Sequence, residues 1–234
     1  MSYYSTLLMS LHPIAYWRKP TPTAWPDASG NGYDAVMIAG PTVVAGPPGG
    51  GADGGILLDG STQYGQGPLV PQGNYFSLVA WFKTSSASVF QRLLSNRDSP
   101  TVGGFDLYID DGQYGVAMYT PGGNFFSGDT AGSLADGNWH MAGYTTQASG
   151  GTLYVDGVAV GTAAAANTGV STTGLVFGAI TAPFNYSNKL SGVLAELAIL
   201  PPLTGPQMAA LYAAGANPPK QAGGGWRAWW AVDE

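Results

Sequence analysis

The sequence contains no cysteine, so no disulfide framework holds the fold and no thiolate can serve as nucleophile or metal ligand. Charge is almost as scarce. Only 9% of residues are charged, where an ordinary soluble protein carries roughly a quarter. Eight Lys and Arg against fourteen Asp and Glu leave a net charge of −6. The basic residues are scattered, which excludes nucleic acid as a partner, because phosphate recognition needs clustered cations. The two histidines, His12 and His140, lie too far apart to offer zinc-ligand spacing. No apolar run approaches a membrane span. The opening MSYYSTLLMSLHPIAYWRK lacks the basic segment and long apolar core of a signal peptide. Gly-x-Ser-x-Gly elbows and phosphate-cradling loops are also missing.

What is abundant points the other way. There are 36 glycines and 17 prolines, yet 45% of residues are hydrophobic and 12% aromatic. Many turn formers between short apolar runs are what a chain of many short strands needs. Residues 3–11 read as a short helix that His12-Pro13 ends. Residues 14–17 read as a strand, 20–32 as a turn-rich connection, and 34–45 as two short strands about Gly40-Pro41. A Gly/Pro-rich loop over 47–55 leads to a strand, turn and strand within 56–67. The segment YFSLVAWFK (75–83) is apolar at odd and even positions alike, the mark of a central strand buried on both faces. Strands follow at 90–98, 104–110 and 113–120, and later at 174–180 and 192–200. TLYV and VAVG flank Asp156-Gly157, a two-residue hairpin loop that requires positive φ at both positions. Thr204 and Gln207 have capping-box spacing and open the helix QMAALYAA, closed by Gly215. These elements make a two-sheet antiparallel sandwich.

DGNWHMAGY (136–144) is the stretch most easily mistaken for a site, with a histidine beside a tryptophan. On a strand Trp139 and Met141 point one way and His140 the other. The tryptophan is expected in the core, the histidine against a neighbouring strand or solvent. Asp136 and Asp156 each precede a glycine, where Asp supports the turn through its own backbone.

The pieces AYW (15–17), DASGNG (27–32), LDGSTQY (58–64), FSLVAWFK (76–83), DGNWHMAGY, LYVDGVAVG (153–161), GVLAELAIL (192–200) and LYAAG (211–215) occur in an order that resembles laminin G-like domains of the concanavalin A-like jelly-roll superfamily. The opening YYSTLL…HPIAYWR is similar to laminin G-like proteins of actinobacterial phages, in minor tail or capsid-decorating positions. The chain departs at Lys19-Pro20, where the family continues with Leu and an acid. The resemblance implies an all-β jelly roll over 12–215, between an N-terminal segment (1–11) and a linker and tail (216–234). It also implies a virion protein made in the host cytoplasm, displaying the module for host-surface or particle contacts. The alternative is a free carbohydrate-binding, lectin-like module. The superfamily includes laminarinase-type glycosidases, which place glutamates and an aspartate at alternate positions of one strand. Here the glutamates are Glu196 and Glu234 alone, and Asp106 and Asp110 have no glutamate partner. A non-enzyme is expected.

Three groups of residues are candidates for binding. Asp27, Ser29 and Asn31 alternate on a tight turn, but Ile38 stands where an EF-hand needs glutamate. The resemblance implies one structural Ca²⁺ here, held by Asp27 and Asn31 with Glu196 from the late strand. The alternative for Asp27 is an Asx-turn, and for Glu196 an arginine or amide partner. Two aromatic, amide-rich loops carry Phe125 and Phe126 (121–129) and Phe184, Asn185 and Tyr186 (181–188). They suit a host cell-surface glycan, or alternatively seal the rim or a homo-oligomer contact. After the ANPPKQAGGG linker, Trp226, Arg227, Trp229 and Trp230 form a docking peptide for other virion proteins, unless they fold back on the sandwich. Deleting residues 223–234 is expected to abolish incorporation into a particle while leaving the sandwich folded, read by co-sedimentation beside circular dichroism. Unchanged incorporation refutes docking.

Overall fold

The computed structural model describes residues 2–49, 53–87, 90–98, 103–109, 116–120, 124–128, 133–163, 171–181 and 185–217; for 116–120, 124–128 and Ala163 only the backbone is described. Two antiparallel sheets stack face to face. Sheet A takes β4 (Thr42–Val44), β5 (Gly55–Asp59), β7 (Ser77–Lys83), β12 (Trp139–Gln147), β13 (Gly150–Val155), β14 (Val158–Ala163) and β16 (Ser191–Leu200), in the order β14-β13-β12-β7-β16-β5-β4. The short β1 (Ala15–Trp17) pairs with the far half of β16. Sheet B runs β11-β10-β9-β8-β15-β6-β3-β2 and takes β2 (Ala24–Trp25), β3 (Ala35–Ile38), β6 (Tyr64–Gln66), β8 (Gln91–Ser95), β9 (Asp106–Ile109), β10 (Val116–Thr120), β11 (Asn124–Gly128) and β15 (Val176–Phe177).

The expected strand pairs divide between the sheets. β3 and β4 flank Gly40-Pro41 yet lie in different layers, and so do β5 and β6. Asp59 turns the chain between the latter two by accepting the amides of Ser61, Thr62 and Gln63 and the Thr62 hydroxyl. Those donors hold its carboxyl well below the ordinary range, against the opposing pull of burial. Between the sheets lie Trp17, Trp25, Phe76, Phe82, Phe105, Tyr144 and Phe177 with their aliphatic neighbours.

A second apolar layer covers the outer face of sheet A. Helices α1 (Tyr3–Ser10) and α2 (Gly205–Ala216) lie there over Val79, Trp81, Met141, Ala195 and Ala198. β7 is therefore buried at every position except Lys83, as its sequence requires. Within the N-terminal segment, Tyr4 and Leu8 are fully buried in this layer. Trp139, expected in the core, is partly buried against the helix layer. His140 turns to the inner face beside Phe82, with ring centroids 5.8 Å apart. The cause is parity: Met141 and Trp139 share the outward face that the helices occupy.

Three further corrections concern element extents. Residues 24–25 of the turn-rich stretch form a strand, β2. Only Val176–Phe177 of the 174–180 segment is strand. Helix α2 begins at Gly205 behind the Thr204–Gln207 capping box and runs through Gly215 to Ala216, with Asn217 as C-cap. Gly215 is thus not a terminator. A Cβ there would overlap the Trp81 indole, which also stacks on Tyr212 at 5.7 Å and meets Tyr4 edge-on at 6.1 Å. Gly215→Ala gains helix propensity worth about 1 kcal/mol, but overpacking a closed core costs about 1–3 kcal/mol. Net destabilisation is expected, measured as a lower urea midpoint; a midpoint equal to or above wild type contradicts the tight approach.

Candidate functional site

β6 is Tyr64-Gly65-Gln66, and Gly65 faces inward because a Cβ there would strike Phe177 and Met37. Tyr64 and Gln66 consequently project from the outer face of sheet B. The loop after β15 returns over this face. Tyr186 stacks on Tyr64 with centroids 4.8 Å apart and planes inclined by 22°. Gln66 Nε2 donates to the Tyr186 hydroxyl at 2.9 Å, and Lys189 Nζ lies 5.7 Å from the Tyr64 ring centre. Asn185, Tyr186 and Asn188 all take left-handed backbone, with φ of 57°, 49° and 52°. For tyrosine that is an uncommon conformation, held here by the stack and the Gln66 bond. Burial, together with Tyr186, raises the Tyr64 phenol above its ordinary pKa.

The same loop is tied to the middle of sheet B, where the Arg92 amide donates to Asn188 O at 3.1 Å. The Arg92 guanidinium lies 4.1 Å from the Tyr108 ring centre, and its Nε is 2.8 Å from Asp106 Oδ2. Arg97 reaches the same carboxylate oxygen at 3.8 Å. Phe90 meets Tyr108 edge-on and stays 40% exposed, and Val36 beside Gln66 is 54% exposed. This face therefore offers aromatic rings, an amide, an ammonium group and a partly exposed apolar fringe, on a rigid sheet.

Of the residues expected to bind a glycan, Asn185 and Tyr186 lie on this face. Phe125 and Phe126 do not sit on a rim loop but on edge strand β11, opposite Tyr119 and Met118. Alternating β-compatible residues extended the sheet where the flanking glycines suggested a loop. Phe184, Trp226, Arg227, Trp229 and Trp230 lie outside the described residues. Tyr64, Gln66 and Lys189 were not anticipated. Their one sequence signal is Gly65, since a glycine inside a strand marks close packing on one face.

Asp27 and Asn31 share one turn, while Glu196 has other partners. Asp27 Oδ1 accepts the amides of Tyr16 and Ser29 at 2.9 Å each, and Oδ2 accepts the Ser29 hydroxyl at 2.8 Å and the Tyr33 amide at 3.0 Å. This is the Asx-turn alternative. Asn31 Nδ2 donates to Ile14 O at 2.9 Å. Glu196 sits on the other side of Tyr16, on a β-bulge of β16 with φ +52°, and accepts the Tyr16 phenol. Asp53 and Arg18, an ion pair, lie beside it. Among the described residues no three His, Asp or Glu side chains gather to hold a metal ion. Asp53 is 3% exposed and Glu196 wholly buried, so this pair of acids cannot reach a glycosidic bond as an acid and nucleophile must. Asp156 Oδ2 and Asp136 Oδ1 hold the two nitrogens of His140 at 2.8 and 3.2 Å, while Asp156 also accepts the Met141 amide at 2.8 Å. Asp156 and Gly157 have φ of 52° and 78°, so the histidine fastens a type I′ hairpin end to the neighbouring turn.

Comparison with known proteins agrees with the architecture. The family model described as concanavalin A-like lectin/glucanases superfamily matches residues 53–204, more than half of the chain. A search of curated proteins finds no match. Among solved structures, domain 4 of an extracellular arabinanase from Geobacillus stearothermophilus, in complex with arabinotriose, is similar with a TM-score of 0.63 and 15% identity, over 85% of this chain and 99% of that one. The binding domain of Paraclostridial Mosquitocidal Protein 1 gives a TM-score of 0.68 at 14% identity, over 88% of this chain and 53% of that one. A botulinum neurotoxin DC binding domain in complex with SialylT gives 0.61 at 13%, over 88% and 52%. The chain thus spans about half the length of these toxin binding domains.

Burial and the nearby Asp53 raise the Glu196 carboxyl to about 8, against the opposing effects of the Tyr16 hydrogen bond and Arg18. The native state therefore keeps a proton that the unfolded chain, with an ordinary carboxyl near 4.5, gives up. Stability from this group is complete below that ordinary value and is lost as pH climbs to about 8. His140, raised by its two aspartates over the opposing effect of burial, adds a loss in the same direction above its ordinary value. Glu196→Gln should flatten the decline by a few kcal/mol, each pK unit being about 1.4 kcal/mol. Urea unfolding at pH 5 and pH 8 (roughly the two ends of that window) reads this; equal slopes in both proteins sink the neutral carboxyl.

Proposed function

The chain belongs to the concanavalin A-like lectin/glucanases superfamily, and on that premise we propose that it is a non-catalytic module that binds carbohydrate through the outer face of sheet B. The Tyr64–Tyr186 stack, with Gln66 and Lys189 beside it, carries this reading. Sugars are recognised by apolar C–H faces laid on aromatic rings and by hydroxyls that bond to amides and charged groups. A preformed stack with a hydrogen-bonded phenol supplies both without an ordering cost. The arabinanase domain holds arabinotriose and the neurotoxin domain SialylT, which supports carbohydrate as the ligand class. The burial of Glu196 and Asp53 supports binding without hydrolysis.

The particle setting is a second reading, supported by the charge-poor composition and the three tail tryptophans. In it the module is a homo-oligomeric virion protein, in a minor tail or capsid-decorating position, whose sheet B face meets a host-surface glycan. Assembly with other virion proteins runs through the tail.

Immobilised glycans, arabino-oligosaccharides and sialylated oligosaccharides among them, test the primary reading. Tyr64→Ala and Tyr186→Ala should each weaken retention about tenfold or more, as loss of a stacked aromatic predicts, with unfolding midpoints close to wild type. Retention unaffected by either substitution removes this face as the site.

A further inference from the structure

We propose that the opposite side of the sandwich, the outer face of sheet A, carries a second ligand site that takes a small neutral polyol or saccharide. It is independent of the Tyr64–Tyr186 face. The register of sheet A lines up four hydroxyl side chains in one row across four strands: Ser77 opposite Thr145, Thr145 opposite Thr152, and Thr152 opposite Thr162. Residues directly opposite in an antiparallel sheet share a face, and this row continues the outer face beyond the helix layer. Its inner half is used by the fold. Ser77 Oγ donates to Thr145 Oγ1 at 2.9 Å, Thr145 Oγ1 donates to Leu203 O at 3.1 Å, and Ser77 Oγ accepts the Leu203 amide at 2.8 Å. The outer half is not. Among the described residues Thr152 and Thr162 make no side-chain hydrogen bond, and both line a cavity of about 430 Å³.

Tyr154 closes the other wall of that cavity. Its side chain belongs to the apolar layer and the residue is 7% exposed, yet its hydroxyl has no hydrogen-bond partner among the described residues. The ring is buried while the hydroxyl stays accessible at the cavity wall, so it can exchange a water for a ligand hydroxyl at little desolvation cost. Gly205 leaves the approach clear. A Cβ at this position would stand 3.6 Å from the Tyr154 oxygen, so larger side chains there would fill the mouth. Tyr154 lies two residues beyond Thr152 on the same face of β13, and the β-bulge falls on β14, where Val160 is the extra residue between Ala159 and Gly161. Gly150 and Gly151 contribute walls without side chains, and among the described residues none that lines the space is charged. Its volume is in the ordinary range for small-ligand sites, while its hydroxyls and lack of charge select a neutral, hydroxyl-rich molecule over an anion or a cation.

Saturation-transfer NMR on the full chain, with D-glucose, L-arabinose and myo-inositol as probes, tests this. The Tyr64→Ala protein is the background, so that failure of the sheet B reading does not carry over. Transfer to at least one probe is expected to persist there. Adding Tyr154→Phe, which removes one oxygen and keeps the packing, should weaken that binding about three- to tenfold. Thr162→Val should do likewise, and Gly205→Leu should abolish it by filling the mouth. No transfer in the Tyr64→Ala background overturns the second site. So does transfer that the Tyr154→Phe, Thr162→Val and Gly205→Leu proteins all retain at the background level.

Discussion

Double-sided burial of β7 is the constraint on which the rest of this structure depends. Its inward residues Leu78, Ala80 and Phe82 close the space between the sheets, and its outward residues Val79 and Trp81 need a cover that no sheet supplies. Helices α1 and α2 are that cover. A strand at the centre of an antiparallel sheet can face water on one side, but one that is apolar on both sides cannot. Hence the two terminal helices are structural necessities, and Gly215 is the point at which one of them comes near enough to Trp81 to exclude solvent.

This cover also decides what Glu196 is. The carboxylate emerges at a bulge directly under α1, among Tyr16, Arg18 and Asp53. Sealed there, its carboxyl is raised well above the ordinary range by burial and by Asp53. Among the described residues, Asp59 and Asp27 each gather several backbone amides as turn-makers, and Asp136 with Asp156 anchors His140. With these described carboxylates committed to turns and a buried cluster, the proposed recognition chemistry lies in phenols, hydroxyls and amides. That balance suits neutral, hydroxyl-rich ligands, which are bound by many weak, directional contacts and apolar ring faces.

The two faces are built in different ways. On sheet B a returning loop in left-handed backbone lays Tyr186 over Tyr64, so the proposed recognition surface depends on a contact between residues far apart in the chain. On sheet A strand register alone places the hydroxyl row, and the helix start frames it. A loop-built surface is more easily altered by substitution than one fixed by the ladder of a central sheet, and the sheet B face is where specificity would change most readily.

Much of this was legible in the residues themselves. The Asp156-Gly157 hairpin, the Thr204–Gln207 capping box, the Asx turn at Asp27 and the two-faced apolar strand are local devices, each set by the φ preferences, donors or periodicity of a few neighbours, and all are present. What lay beyond the sequence depended on partners far along the chain. Glycines around 121–129 suggested a loop, yet pairing with β10 made Phe125 and Phe126 part of an edge strand. Gly215 reads as a helix terminator until Trp81 is seen beneath it, and that Tyr16 and Asp53 stand beside Glu196 is not written in the residues around it. Local backbone preference and side-chain period are written in consecutive residues and so determined the elements. Which faces meet, which carboxyl loses its charge, and where a phenol is left without a partner are properties of surfaces brought together across the fold, and only the tertiary structure decided them.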